Sequence, residues 1–177
     1  MNLSRYDDLH FAPAPLGGRV RLFTHLLLPL LLPLVIADKI IIRYFILHKT
    51  TSLLGWWIFA LVMLIVGLCW YASRIRELKL EGNILLVRLP WWTNRFELTD
   101  LQSIEAVPLK WAWKKIGNDG LGGMIGSFRN KQLGNFRAYV SDPAKSVVLR
   151  WADRIVVVSP RETEWFIESV RKRTGLQ

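Results

Sequence analysis

SVVLRWADRIVVVSP, residues 146–160, is the stretch on which the architecture turns. Two runs rich in β-branched residues, SVVLRW (146–151) and RIVVVS (154–159), flank Ala152-Asp153. Such runs on either side of a short polar break read as a β-hairpin. Ser159-Pro160 then opens a helix, with Ser159 as N-cap and Pro160 at the first helical position. Glu162 and Glu164 suit the positive end of its dipole, and Arg171, Lys172 and Arg173 the negative end. Gly175 is a stop signal. Trp165, Phe166, Ile167 and Val170 give the helix an apolar face that can plug an open β-structure.

Upstream the same period-two pattern repeats. GNFRAYV (134–140) and residues 125–128 read as strands, behind the glycine-dense run NDGLGGMIG (118–126). Residues 101–107 are a strand with Leu101, Ile104 and Val107 inward, and residues 95–98 alternate as well. Leu78-Lys79-Leu80, the turn Glu81-Gly82-Asn83 and the run 84–89 form another hairpin, stopped by Pro90. Short strands recurring about every ten residues between turn signals predict an antiparallel barrel or sandwich.

Seven or eight strands closed by one helix is the outline of a pleckstrin-homology-type barrel. The run 120–126, GNFRAYVSD (134–142), VVLR (147–150), VVVSP (156–160) and the helix with Phe166 resemble the bacterial PH domain. Proteins of that group frequently carry two transmembrane helices, and mostly lack an assigned biochemical activity. The resemblance therefore implies fold and placement more than function.

The N-terminal part reads differently. LLGWWIFALVMLIVGLCWYA (53–72) has no charge over 20 residues, the ~20 that a bilayer helix needs, with aromatic rings at both ends. LFTHLLLPLLLPLVIA (22–37) is shorter, and Asp38 and Lys39 separate it from IIIRYFIL (40–47). Its helix either stops near Ala37 or runs to about Leu47 through kinks at Pro29 and Pro33. A cleaved signal ending at Val35-Ile36-Ala37 competes, but a 21-residue lead containing Asp7 and Asp8 speaks against it. Arg19 and Arg21 before the first span, and Arg74, Arg76 and Lys79 after the second, place both flanks in the cytoplasm. Lys39, Arg43 and Lys49 between the spans weaken that orientation.

The expected organisation is a flexible arm (1–21), a transmembrane helical hairpin (22–73, with helices at 22–47 and 53–72) and a PH-like domain (74–177). The fold class is α+β, mainly β: an antiparallel β-barrel capped by one C-terminal helix over about 160–173. The localisation expected is the bacterial inner membrane, with the domain cytoplasmic.

The net charge is +10, and residues 74–177 carry 18 Lys and Arg against 11 Asp and Glu. Beside a bilayer such a domain is drawn to anionic headgroups. Nucleic acid is the competing explanation of a basic chain; the membrane tether already accounts for the charge, so no nucleic-acid partner is expected. Cys69 is the single cysteine, and no disulfide within the chain is possible. His10, His25 and His48 lack ligand spacing, so neither metal nor cofactor is expected.

Lys110-Trp111-Ala112-Trp113-Lys114-Lys115 interleaves rings with cations, and Trp91-Trp92 precedes Thr93-Asn94. Both are candidate membrane-surface or partner contacts, weighed against rings that merely cover the β-structure. The glycine-dense run lacks phosphate-loop spacing and reads as turn geometry or close backbone packing. Asp100, Glu105, Asp142 and Asp153 form no acid–base pair, and no histidine follows His48 to activate Ser127 or Ser141. Asp38 is a candidate intramembrane polar residue, or an interfacial one, pairing with Lys39, Arg43 or a partner.

The function expected is a non-enzymatic, membrane-anchored module that binds a protein or anionic lipid at the cytoplasmic face. Its contacts would come from exposed edges and the loop 108–123. The alternative is an accessory subunit of a transport or envelope-stress complex, contacted through the hairpin.

Overall fold

The computed structural model describes residues 8–22, 53–109, 112–119 and 122–176. The meander β2 (Glu77–Glu81), β3 (Ile84–Arg88) and β4 (Thr93–Glu97) follows the alternation of its sequence. Register sets Leu78 opposite Val87, and Leu85 opposite both Leu80 and Phe96. All five side chains are therefore on one buried face, because successive strand residues point to opposite sides. The arm adds β1 (Leu9–Phe11), antiparallel to β2 with Phe11 opposite Leu78. A short helix α1 (Gly18–Leu22) follows it.

The second sheet has the order β5-β9-β10-β8-β7-β6. Its strands are β5 (Ser103–Ala106), β6 (Trp113–Asp119), β7 (Met124–Asn130), β8 (Gly134–Val140), β9 (Val147–Arg150) and β10 (Ile155–Val158). Val147, Leu149, Val156 and Val158 meet the inner face of the first sheet in one core. Phe166 and Val170 of the C-terminal helix α3 (Thr163–Thr174) fill the same core and are fully buried. On the outer face of the second sheet, Phe128, Phe136, Ala138, Val148 and Val157 form a separate cluster. The connection from β5 to β6 covers it with Leu109, Val107 and Ala112.

Several expectations are corrected. The expected antiparallel barrel is a sandwich of two sheets, since among the described residues no strand of one pairs with a strand of the other. After β4 the chain turns at Asp100, in the left-handed region (φ 60°), and β5 then pairs with β9. Pairing is not antiparallel throughout: β10 inserts between β9 and β8 and runs parallel to β8. The expected N-cap Ser159 is used elsewhere, and α3 begins three residues later than expected, after Glu162, which makes no side-chain cap. Gly175 ends α3 as expected, left-handed at φ 72° and donating to the Arg171 carbonyl at 2.8 Å.

The transmembrane hairpin and the integral inner-membrane localisation are corrected as well. Among the described residues no helix is long and apolar enough to cross a membrane. Apart from Leu22, the expected first span (22–47) lies outside the described residues, and so does Asp38. The expected second span forms helix α2 (Leu53–Ala72).

Candidate functional site

Helix α2 ends where the sandwich begins. The Ser73 hydroxyl donates to the Cys69 carbonyl at 2.7 Å, and the Arg74 N–H to the Tyr71 carbonyl at 3.2 Å. The chain then enters β2, with the Arg76 N–H donating to the Arg88 carbonyl at 2.9 Å. This tight exit folds two arginines back onto two rings. The Arg74 guanidinium lies 4.4 Å from the centroid of Trp70, and Arg76 lies 5.6 Å from that of Tyr71. Arg76 also donates to the Tyr71 hydroxyl. Cations at a helix C-terminus are favoured by the dipole.

The β3–β4 turn reaches the same place. Its closing bond runs from the Leu89 N–H to the Trp92 carbonyl at 2.9 Å. Trp91 is 58% exposed, with its ring 6.2 Å from that of Tyr71. Trp92 is also exposed.

Two open crevices adjoin this cluster, and Arg76 lines both. One, of about 570 Å³, lies between His10 and Phe11 of β1 and Glu77, Arg88 and Thr93 of the first sheet. The other, of about 380 Å³, lies between arm residues 13–16, Tyr71, Arg74, Pro90 and Gly122. Glu77 is engaged by Arg88 at 3.2 Å and by His10. Among the described residues, no carboxylate pairs with Arg74 or Arg76. A planar guanidinium held on an aromatic face is suited to phosphate or carboxylate oxygens.

The sequence candidates separate in space. Trp91 and Trp92 are at the helix exit. Trp113, 82% exposed, and exposed Lys115 lie at the start of β6, where Trp113 pairs with Arg129. Gly122, beyond the other end of β6, is the part of that hairpin that reaches the crevice. Seven residues of strand put the two patches roughly 20 Å apart along the sheet. The backbone of Lys114 pairs with Phe128, beside a bulge between Lys114 and Ile116. Lys110 and Trp111 lie outside the described residues. Tyr71, Arg74 and Arg76 are not among the sequence candidates, although an aromatic pair followed closely by two arginines at an apolar segment's end is a signal for them.

The described residues of the glycine-dense run, 118–119 and 122–126, include the paired ends of β6 and β7. Gly117 and Gly126 face each other, and a Cβ on Gly126 would fall on the Ile116 carbonyl oxygen. Close backbone approach explains these glycines. Among the described residues there is no cluster of His, Cys, Asp and Glu able to hold a metal.

Residues 76–174 match the family described as bacterial PH domain, more than half of the 177-residue chain. No curated protein matches the chain, and no solved structure does. The match agrees with the PH-like sandwich and its C-terminal helix, and leaves the two expected transmembrane helices without support. The chain belongs to the bacterial PH domain family.

Proposed function

We propose that this protein is a non-enzymatic binding module whose helix-exit cluster takes an anionic surface, a bilayer rich in anionic headgroups. Family membership supports a binding or scaffold role, PH domains being in general non-catalytic modules that bind lipids or proteins. The observation that carries the proposal is the pair Arg74 and Arg76, laid on Trp70 and Tyr71 and without a carboxylate partner among the described residues. Trp91 beside them supplies an amphipathic ring of the kind that settles at headgroup depth. Trp113 and Lys115, with Lys110, Trp111 and Lys114 along the chain, make a second contact of the same chemistry.

The test is sedimentation of the full chain with phosphatidylcholine vesicles, with and without phosphatidylglycerol. The expected result is a preference for the anionic vesicles that weakens with salt. Arg74→Ala/Arg76→Ala should cut that preference by roughly 30-fold, two cations at about 1 kcal/mol each. Equal binding to both vesicle types, or a double variant with undiminished preference, would overturn the proposal.

A further inference from the structure

Among the described residues, β5 is the outer strand of the second sheet, paired with β9 on one side only. The Val107 N–H donates to the Ser146 carbonyl at 3.0 Å. Antiparallel partners alternate between bonded and non-bonded positions, so Ser103 and Glu105 share the phase of Val107. The N–H and C=O groups of Ile104 and Ala106 therefore point away from β9, along the open edge. Such a row of backbone groups is a template for another strand.

Helix α3 runs beside this edge, and between them lies a groove of about 340 Å³. Its apolar surface comes from Ile104, Ala106 and half-buried Ile167. Its charge comes from Glu105, Glu164 and Glu168, with Arg171 also lining it. Among the described residues none of the three glutamates has an ion-pair partner. Glu164 and Glu168 lie four apart on one helix face, an arrangement that repels itself unless a cation comes between.

We infer that the edge of β5 takes an extended peptide segment of another protein, added as a further strand with apolar and basic residues in alternation. Main-chain bonds to Ile104 and Ala106 supply the docking, while the glutamates select Lys or Arg. A second copy of this chain fits poorly. Two-fold pairing of β5 with β5 would bring glutamates against glutamates. This partner and this face are distinct from the anionic surface proposed above, so either proposal can fail without the other.

The test is fluorescence anisotropy of the full chain with a labelled Lys-Val-Lys-Val-Lys-Val-Lys peptide. Controls are its Glu counterpart and a version N-methylated at alternate residues. Expected is binding of the basic peptide, no binding of the acidic one, and loss of binding on N-methylation. Glu164→Lys/Glu168→Lys, both on the exposed helix face, should weaken the basic peptide roughly tenfold. Ala106→Pro should abolish binding, because it removes a donor facing the open edge and not the β9 ladder. If that variant fails to fold, N-methylation still decides the main-chain role. Unchanged affinity on N-methylation, or on glutamate reversal, overturns the inference.

Discussion

The Ser141 hydroxyl donates to the carbonyl of Ala14 at 2.7 Å, joining residues 127 positions apart in a buried site. With that proton committed, the 3.0 Å contact between the two serine hydroxyls is donated by Ser159 to Ser141. Ser159 also accepts from the Ser141 N–H at 2.8 Å. Three groups from three segments are thus satisfied together. The neighbouring bonds from Ala14 N–H to the Ser159 carbonyl (2.8 Å) and from Gly17 N–H to the Ser141 carbonyl (3.0 Å) fasten the arm. Bonds in such a chain strengthen one another in a low-dielectric interior.

Ser141→Ala removes the hydroxyl used by two of these bonds and leaves the Ala14 carbonyl without it. The expected cost is about 1–3 kcal/mol, the penalty of an unsatisfied buried group. A urea unfolding curve measures it, and proteolysis of the arm should accelerate in parallel. An unchanged midpoint would mean that the arm is held by its strand pairing alone.

Gly126→Ala should be worse than an ordinary glycine replacement. The residue has φ 135°, and the added Cβ meets the backbone of β6, which cannot rotate away as a side chain would. Separation of β6 from β7 is expected, with a loss of about 1–3 kcal/mol or more. Hydrogen exchange at residues 113–119 should rise selectively. Protection equal to that of the parent protein would contradict the close-approach reading.

The pairing of Asp8 with Lys79 at 2.7 Å predicts a pH-dependent arm. Its hydrogen bond to Lys79 holds the Asp8 carboxyl below the ordinary 3.8, and the same bond raises the Lys79 ammonium above 10.5. A depressed acid stabilises the fold above its unfolded value and stops doing so as pH falls through the folded one. A raised base does so below its unfolded value and stops as pH climbs through the folded one. Strand β1 should therefore keep its pairing between about pH 4 and pH 10 and loosen beyond either limit. Hydrogen exchange at Leu9–Phe11 reads this, each rate being corrected for the intrinsic pH dependence. In Asp8→Asn both transitions should disappear. Their persistence would place the cause elsewhere.

The β-rich part was legible because its signals are local. Leu78 and Leu80, and Leu85 and Val87, recur at the two-residue spacing of one buried face, while the valines of β9 and β10 run on without alternation because both faces of that sheet are covered. Ala152-Asp153 makes the predicted turn, closed by the Trp151 N–H to the Arg154 carbonyl at 2.9 Å. The strand β1 was not legible: three residues carry too little pattern, and Leu9–Phe11 is extended because β2 offers it a free edge. Ser159 misled for a related reason. A serine before proline suits a helix cap, but here its hydroxyl answers a serine from another strand. Trp91 was singled out as a ring beside a turn, while its neighbour Tyr71 belongs to a helix that sequence distance separates from it.

By itself the sequence determined the strand rhythm, the closing helix with its glycine stop, and the family, since these rest on side-chain period and on residues near in the chain. Tertiary structure alone decided that the sheets remain a sandwich, that β10 lies parallel to β8, and that Arg74, Arg76, Tyr71 and Trp91 share one end of the molecule. The physical reason is that backbone edges choose partners by where the chain brings them. A register or a cluster assembled from distant segments leaves no periodic trace in either segment alone.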